Sequence, residues 1–327
     1  MKLKKEKFGR TDYRVSRLCL STSNFSRYTS QEESLAILDS FREAGGNFVQ
    51  TSGICPGVNL GDGFLGMPEE VLGRWLKLRR VERASIIIAT RIAFTRPVIG
   101  GLVTYTELVR QCAQDSIRRM GCDYLDFLVV EWTDDIAPVA ESIAVFEAVV
   151  ASGEARHVVP ANFLTTRVIE ALAASRGEPR TIAGLQLDYS LATRLAFEGG
   201  VAKVSADYGL AVIARAPLAG GHLASRRLSR GIGVLRHRGT GDRHAAIAAD
   251  GIWPALSSIA LARRRSPAQV ALSWVLAHPH ITSVLVSVSS VDQVHELLAA
   301  TRLQLSGEDM TRLGRHPVRR TRAALAS

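Results

Sequence analysis

The sequence predicts a (β/α)8 TIM barrel with an N-terminal β-hairpin. Short apolar runs alternate with amphipathic stretches many times along the 327 residues, which is the pattern of strands that are each followed by a helix. The length exceeds the ~250 residues typical of such barrels. No G-x-G-x-x-G fingerprint follows the first strand, which disfavours the runner-up, a doubly wound sheet. Since no break in composition suggests a second domain, we expect residues 1–327 to form one barrel domain.

The strands are identified by short apolar runs without a helical period. The run SIIIA from Ser85 to Ala89 is too short for a typical helix and rich in isoleucine, so it predicts a strand buried on both faces. The segment from Lys5 to Arg17 resembles a hairpin across the bottom of the barrel. In chain order, the eight predicted barrel strands are Leu18 to Leu20, Asn47 to Thr51, Ser85 to Ala89, Phe127 to Val130, His157 to Ala161, Gly184 to Leu187, Ala211 to Ala214 and Ser283 to Val288.

The helices are identified by apolar residues at helical spacing and by their end signals. Thr106 to Met120 carries one apolar face among Glu, Arg, Gln and Asp residues. Ser266 before Pro267 supplies an N-cap and a proline in the first turn of a later helix. In chain order, the predicted helices are Gln31 to Ala44, Glu69 to Leu78, Thr106 to Met120, Val139 to Ser152, Thr166 to Ser175, Val201 to Tyr208, Pro267 to Ala277 and Val291 to Ala300.

The composition is that of an ordinary globular protein, with 46% hydrophobic and 22% charged residues. The four cysteines form no CxxC pair and have no ligand spacing with histidine, so we expect neither a disulfide framework nor a metal site. The amino terminus lacks the apolar core of a secretory signal, and no run of about 18 uncharged apolar residues occurs. We therefore expect a soluble, cytoplasmic protein without a membrane partner.

The net charge of +10 is partly clustered in the arginines between positions 226 and 243. No helix-turn-helix, zinc-finger or aromatic RNA-binding signature accompanies this cluster, so we expect no nucleic-acid partner. A small anionic ligand and plain solvation are both compatible with the cluster, and its glycines would let the segment move as a lid. An ordered lid and a disordered loop are both open, and so is the oligomeric state.

In a barrel of this kind, functional side chains collect at the carboxyl ends of the strands. The residues at the predicted strand ends are Ser21 to Asn24, Gln50 to Cys55, Arg91, Glu131 and Trp132, Asn162, Gln186 to Tyr189, Arg215 to Pro217, and Ser287 to Ser290.

Several stretches of the chain resemble the aldo-keto reductase family. They are FGRTDYRVSRLCLST, EESLAILDSFREAGGNFVQT, PEEVLGRWLK, DSIRRMGCDYLDFLVVEW, VVPANF, LQLDYSLATR, APLAGGHL and SPAQVALSWVL, and they follow the order of the family over almost the whole chain. The resemblance implies a barrel that reduces a carbonyl with NADPH. Family members use an aspartate, a tyrosine, a lysine and a histidine at the strand ends.

The resemblance places these four catalytic positions on Gln50, Cys55, Arg91 and Glu131, so none of the four family residues is retained. Cys55 reaches less far than a tyrosine, and Gln50 cannot supply the negative charge of an aspartate. Arg91 is an anion clamp rather than a proton-tuning neighbour. Glu131 is expected either to pair with Arg91 or to act as a general acid or base. A purely structural ion pair is the third alternative.

The resemblance also implies a cofactor site that is only partly kept. Its expected residues are Asn162, Gln186, Arg215, Ser287 and Gln293. Arg215 stands where family members commonly stack an aromatic residue on the nicotinamide, and no arginine or lysine occurs where they grip the 2′-phosphate. Asn24 and Trp132 are the expected substrate-binding residues.

Three functions are compatible with these observations. The leading hypothesis is a barrel repurposed for a non-redox step in specialised metabolism, such as elimination, isomerisation or cyclisation (a lyase or isomerase), which requires no cofactor. In that hypothesis Glu131 is the acid or base and Arg91 holds an anionic small-molecule substrate, while Cys55 and Gln50 shape the pocket. The second is an NADPH-dependent oxidoreductase that reduces a conjugated alkene or an imine. The third is a non-catalytic barrel that serves as a ligand sensor or partner subunit.

Overall fold

The structure is a computed structural model that describes residues 2–53, 67–93, 104–131, 137–163, 165–174, 181–225 and 240–315. A hairpin of β1 (Lys5–Lys7) and β2 (Arg14–Ser16) precedes eight longer strands. These are β3 (Leu18–Ser21), β4 (Phe48–Ser52), β5 (Ile87–Ile92), β6 (Leu125–Glu131), β7 (Ala155–Ala161), β8 (Gly184–Asp188), β9 (Ala211–Arg215) and β10 (Ser283–Ser287). They close into a parallel barrel in the order β10-β3-β4-β5-β6-β7-β8-β9, which confirms the predicted fold and its hairpin.

Ten α-helices accompany these strands within the described residues. They are α1 (Gln31–Glu43), α2 (Met67–Leu78), α3 (Tyr105–Met120), α4 (Val139–Ala151), α5 (Thr165–Ala174), α6 (Ala202–Tyr208), α7 (Thr240–Arg263), α8 (Pro267–Leu276), α9 (Val291–Ala300) and α10 (Gly307–Gly314). Helices α3 and α8 begin with capping boxes, Thr104 with Glu107 and Ser266 with Gln269. The N-cap predicted at Ser266 is therefore confirmed.

The structure corrects two parts of the predicted element map. The third barrel strand begins at Ile87 rather than Ser85, because Ser85 N donates to Glu82 O at 2.9 Å in a short 3-10 turn. Residues 240–263 form a helix, which overlaps the end of the segment from 226 to 243, for which the sequence left a lid and a loop open. Alanines between positions 245 and 249 favour the helix over the flanking glycines. Residues 226–239, which carry most of the arginine cluster, lie outside the described residues.

The hairpin closes one end of the barrel with an aromatic plug. Phe8 is fully buried, and its ring centroid lies 4.2 Å from that of Phe127 and 5.9 Å from that of Phe48. The neighbouring Gly9 has φ +57°, and a Cβ there would lie 2.5 Å from the carbonyl oxygen of Ala183. Only glycine fits such a backbone so close to a strand. The interior of the barrel is thus filled by aromatic side chains at the hairpin end.

Two properties bear on the expected partners. None of the helices in the described ranges is long and apolar enough to cross a membrane. Among the same residues, no cluster of three or more His, Cys, Asp or Glu side chains could hold a metal ion.

Candidate active site

The carboxyl ends of the strands bring a group of charged and amide side chains together at the open mouth of the barrel. Side chains alternate along each strand, and the interior hydrophobic layer contains Phe127, Val129 and Ile213. Glu131 and Arg215 are the next residues on the same faces of β6 and β9. The two-residue period therefore places them in the mouth, directly above the apolar layer.

Arg91 and Glu131 form an ion pair in this mouth. The side chains are only 28% and 13% exposed, so water screens the pair less than it would a surface pair. Burial lowers the pKa of Arg91 to about 10; the positive charge of Arg215 also lowers it, while Asp188 opposes the shift. Arg91 nevertheless remains protonated near neutral pH, and its buried Nε has no hydrogen-bond partner among the described residues. The Arg91–Glu131 ion pair, one of the alternatives that the sequence left open for Glu131, is present in the structure.

Asn162 connects this ion pair to the next strand. Its Nδ2 donates to Glu131 Oε2 at 2.7 Å, and its Oδ1 accepts from Arg215 Nη2 at 2.9 Å. The residue follows the end of β7 with φ +52°, a left-handed conformation that asparagine tolerates better than most residues. This backbone turn directs one amide to both neighbours.

Arg215 is held on a second side by Asp188. Its Nε donates to Asp188 Oδ1 at 2.5 Å, and its Nη1 lies 3.9 Å from Glu131 Oε1. Asp188 and Arg215 are register partners on β8 and β9, which explains the contact. Within the described ranges, the mouth therefore contains two arginines and two carboxylates, whose formal charges cancel. Asp188 lies in the range from Gln186 to Tyr189 that the sequence placed at a strand end, but the sequence analysis gave it no role.

Gln50 and Gln186 form a separate pair one layer deeper. Gln186 Nε2 donates to Gln50 Oε1 at 2.7 Å, and Gln50 Nε2 lies 3.4 Å from Gln186 Oε1. The residues are 3% and 0% exposed, so the reciprocal contact satisfies two buried amides. Gln50 thus lies at the mouth as expected, but its hydrogen bonds go to Gln186 rather than to Arg91 or Glu131.

The remaining expected residues lie where β3 and β10 end. Asn24 Nδ2 donates to Val288 O and Ser289 Oγ, both at 3.2 Å, and Ser287 Oγ lies 3.4 Å from Ser23 Oγ. Asn24 was expected to bind substrate, yet it joins the hydroxyl-rich edge that includes the expected cofactor residue Ser287.

Helix α9 begins beside this edge. Its Gln293 side chain accepts from Ser289 N at 2.8 Å, and Glu33 of α1 accepts from Val291 N at 3.0 Å. The contact from Glu33 was not predicted, because it joins residues 258 positions apart. Cys55 and Trp132, which were also expected at the mouth, lie outside the described residues.

The described residues fit a nicotinamide cofactor. The carboxamide of nicotinamide offers both a donor and an acceptor, and the side chains of Asn162 and Gln186 offer the complementary groups at the strand ends. The serine-rich edge of β3 and β10 and the start of α9 supply hydroxyl groups and backbone amides that suit a sugar-phosphate chain. In the present arrangement both amides bond to protein groups, so a carboxamide would exchange with these contacts.

Comparisons with known proteins agree on one family. The family model described as Aldo/keto reductase family matches residues 17–316. An uncharacterized oxidoreductase, YrpG of Bacillus subtilis, is 30% identical over 312 residues, which cover 92% of this chain and 91% of that protein. An NADH-specific methylglyoxal reductase of Escherichia coli is 24% identical, over 94% and 97% of the two chains. A solved thermostable aldo-keto reductase in complex with epalrestat superposes with a TM-score of 0.71 at 22% identity, over 95% and 98% of the chains.

These findings correct two of the expectations drawn from the sequence. The leading hypothesis of a non-redox elimination, isomerisation or cyclisation is wrong, because the relatives are named as oxidoreductases and reductases. The associated expectation that no cofactor is required is also wrong, because the family and its named members point to NAD(P)H. The physical reason is that the cofactor supplies the hydride in such enzymes, so polar substitutions at the strand ends do not imply its loss.

Proposed function

The chain belongs to the aldo/keto reductase family, and on this premise we propose that it is an NAD(P)H-dependent reductase of a polarised double bond, in a conjugated alkene or an imine. The observation that carries the proposal is the Arg91–Glu131 ion pair at the mouth of the barrel. It lies beside Asn162 and next to a layer that contains Gln186, the two amides that suit a nicotinamide carboxamide.

The proposed substrate class follows from the groups that could donate a proton. We propose that Gln50, Cys55, Arg91 and Glu131 occupy the four catalytic positions of the family, as the resemblance of the flanking motifs implies. In the part of the chain that the structure describes, no tyrosine hydrogen-bonds to Arg91 or Glu131. A substrate that depends less on a phenolic acid than a simple ketone does is therefore favoured.

For a conjugated alkene, Arg91 stabilises charge on the substrate oxygen. A bound NAD(P)H would supply a hydride to the β carbon, and the electron pair of the double bond would then move through the α carbon to the carbonyl oxygen. Arg91 remains cationic at neutral pH and is fixed by Glu131, so its guanidinium can donate to that oxygen. Water at the open mouth would then donate a proton to the α carbon and leave as hydroxide, which completes the addition of one hydride and one proton.

For an imine, Glu131 takes the more important part. A protonated imine already carries its proton on nitrogen, so the hydride completes the reduction without a further acid. The carboxylate of Glu131 is fixed by Asn162 at 2.7 Å and by Arg91, and it would hold the cationic nitrogen at the mouth. The same ion pair therefore serves both substrate classes.

The proposal is tested by following deuterium from the cofactor to the product. The purified protein is mixed with NADH or NADPH that carries deuterium at the reactive carbon and with a panel of conjugated enones, cyclic imines and aldehydes. We expect mass spectrometry to find deuterium in a saturated ketone or an amine. Aldehydes are included because a relative is named a methylglyoxal reductase. Transfer to aldehydes alone would refute the proposed substrate class, and transfer to no substrate together with no cofactor binding would favour a non-catalytic barrel.

Variants of the ion pair then test the assigned roles. We expect Arg91→Ala and Glu131→Gln each to lower kcat by at least about 10²-fold, because the first removes the donor to the substrate oxygen and the second removes the carboxylate that fixes Arg91 and holds a cationic nitrogen. Arg118→Ala is the matched control, since Arg118 also pairs with an acidic residue but is 75% exposed on α3. Retention of full activity in both mouth variants would show that the pair is structural only.

A further inference from the structure

The second ion pair of the mouth, between Asp188 and Arg215, is not used in the reduction described above. Arg215 extends from the end of β9 on the same face as the buried Ile213, and 23% of its side chain is exposed. It therefore borders the space in which a nicotinamide would lie. An uncompensated guanidinium at this place would repel the oxidised ring, which is cationic, and would affect the neutral reduced ring far less.

The structure provides a specific compensation for this charge. Asp188 Oδ1 accepts from Arg215 Nε at 2.5 Å, and Asn162 Oδ1 accepts from Arg215 Nη2 at 2.9 Å. Contacts at both ends fix the guanidinium along its edges, which leaves its flat face as the surface available to a ring. Because Asp188 and Arg215 are register partners, this arrangement is built into the pairing of β8 and β9.

The influence of Asp188 extends across the mouth. Its negative charge acts on Arg91 in the opposite sense to Arg215, so that the carboxylate raises and the second guanidinium lowers the pKa of Arg91. Arg91, Arg215 and Asp188 consequently share one electrostatic environment, and removal of Asp188 would leave an excess of positive charge among the mouth residues that the structure describes.

We propose that Asp188 is a positioning residue that offsets and orients Arg215 and thereby allows the site to bind the oxidised nicotinamide as well as the reduced one. The inference rests on the proposed function, because it needs a nicotinamide in the mouth. It predicts that replacement of Asp188 changes the ratio of the dissociation constants for the oxidised and the reduced cofactor. Replacement of a merely structural residue would change both constants by the same factor.

The test is a calorimetric titration of the whole protein with NAD⁺, NADH, NADP⁺ and NADPH. In Asp188→Asn we expect affinity for the oxidised form to fall about tenfold relative to the reduced form, which corresponds to about 1.4 kcal/mol. Asp188→Glu should restore much of the original ratio, because it keeps the charge. Asp207→Asn is the matched control: Asp207 also forms an ion pair, with Lys203 at 2.6 Å, but lies on α6, which precedes the amino end of β9.

Two further outcomes separate this inference from the proposed function. Arg215→Gln should have the opposite effect, an increase in affinity for the oxidised cofactor relative to the reduced one. This variant replaces Asp188→Asn if the latter does not fold. Equal changes for both redox forms, or no change in either the Asp188 or the Arg215 variants, would overturn the inference and leave the proposed function intact. Absence of binding of all four cofactors to the unaltered protein would overturn both.

Discussion

At the scale of single residues, the mouth depends on one asparagine with an unusual backbone. Asn162 joins Glu131 to Arg215 with a donor and an acceptor from the same amide, and its φ of +52° directs the side chain to both. The sequence predicted the Arg91–Glu131 pair because a strand period and a family resemblance place both residues at strand ends. It could not predict the contacts of Asn162, because they depend on a backbone conformation that most sequences near a strand end do not adopt. The roles of all these residues remain predictions.

Replacement of Asn162 by glycine isolates the contribution of its side chain. Glycine accepts the left-handed backbone without strain, so Asn162→Gly removes two hydrogen bonds and little else. We expect the dissociation constant for the reduced cofactor to rise about tenfold, since Arg215 and Glu131 lose their common partner. Arg80→Gly is a matched control, because Arg80 also has a positive φ, +48°, but precedes β5 at its amino end. Unchanged cofactor affinity in Asn162→Gly would show that the amide has no part in the site.

At the scale of secondary-structure elements, the sequence predicted strands better than helix contacts. The apolar runs identified all eight barrel strands, because a strand buried on both faces has few sequence alternatives. Helices α7 and α10 were missed; in the case of α7, glycine and arginine dominate the segment that precedes it. The contact between α3 and the start of β7 could not be predicted from the sequence either, because it depends on Glu154, a single acidic residue that follows a turn.

Glu154 provides a test of that junction. The residue is 7% exposed and accepts hydrogen bonds from Arg110 at 2.9 Å, Gln114 at 2.6 Å and Ser152 at 2.5 Å. Burial alone would raise its pKa, but these donors outweigh burial and hold the pKa below its usual value. We expect Glu154→Gln to lower the free energy of unfolding at pH 7 by about 1–3 kcal/mol. Urea denaturation measures this difference.

The pH dependence gives the same prediction an independent check. Because the folded pKa of Glu154 lies below the unfolded one, the stabilisation is present above the unfolded value, near 4.5, and is lost as pH falls through the folded value. The difference in the free energy of unfolding between the unaltered protein and Glu154→Gln should therefore become smaller below pH 4.5. Asp115→Asn, which removes a carboxylate from an exposed ion pair on α3, should change stability by no more than about 0.5 kcal/mol. If the difference in the free energy of unfolding does not change with pH, the effect of Glu154→Gln results from altered packing and not from the lost charge.

At the scale of the whole molecule, the aromatic plug and the candidate active site lie at opposite ends of the barrel. The hairpin end is filled by Phe8, Phe48 and Phe127, while the charged and amide groups lie at the opposite end of the strands. This division follows from closed parallel topology, in which all strands end at the same face. The closed barrel was predictable from alternating elements and length, but the depth of the plug was not, because it depends on how Phe8 packs against residues far away in sequence. The expectation of one domain remains a prediction.

The separation is tested by removal of the plug. We expect Phe8→Ala to lower the free energy of unfolding by about 3–5 kcal/mol, because it leaves a cavity inside the barrel. The affinity for the reduced cofactor should change less than threefold at a temperature where the variant is folded. Leu78→Ala is the control, since Leu78 is 53% exposed and its loss should cost about 0.5 kcal/mol or less. Loss of cofactor affinity in folded Phe8→Ala would show that the two ends are coupled.

The central claim is that this barrel uses a nicotinamide cofactor at the mouth formed by Arg91, Glu131, Asn162 and Arg215. The most direct measurement is a calorimetric titration of the unaltered protein with NADH and with NADPH. The account predicts saturable binding at one site per chain for at least one of them, with a dissociation constant in the micromolar range typical of enzyme ligands. Absence of binding of either cofactor at about 1 mM would contradict it.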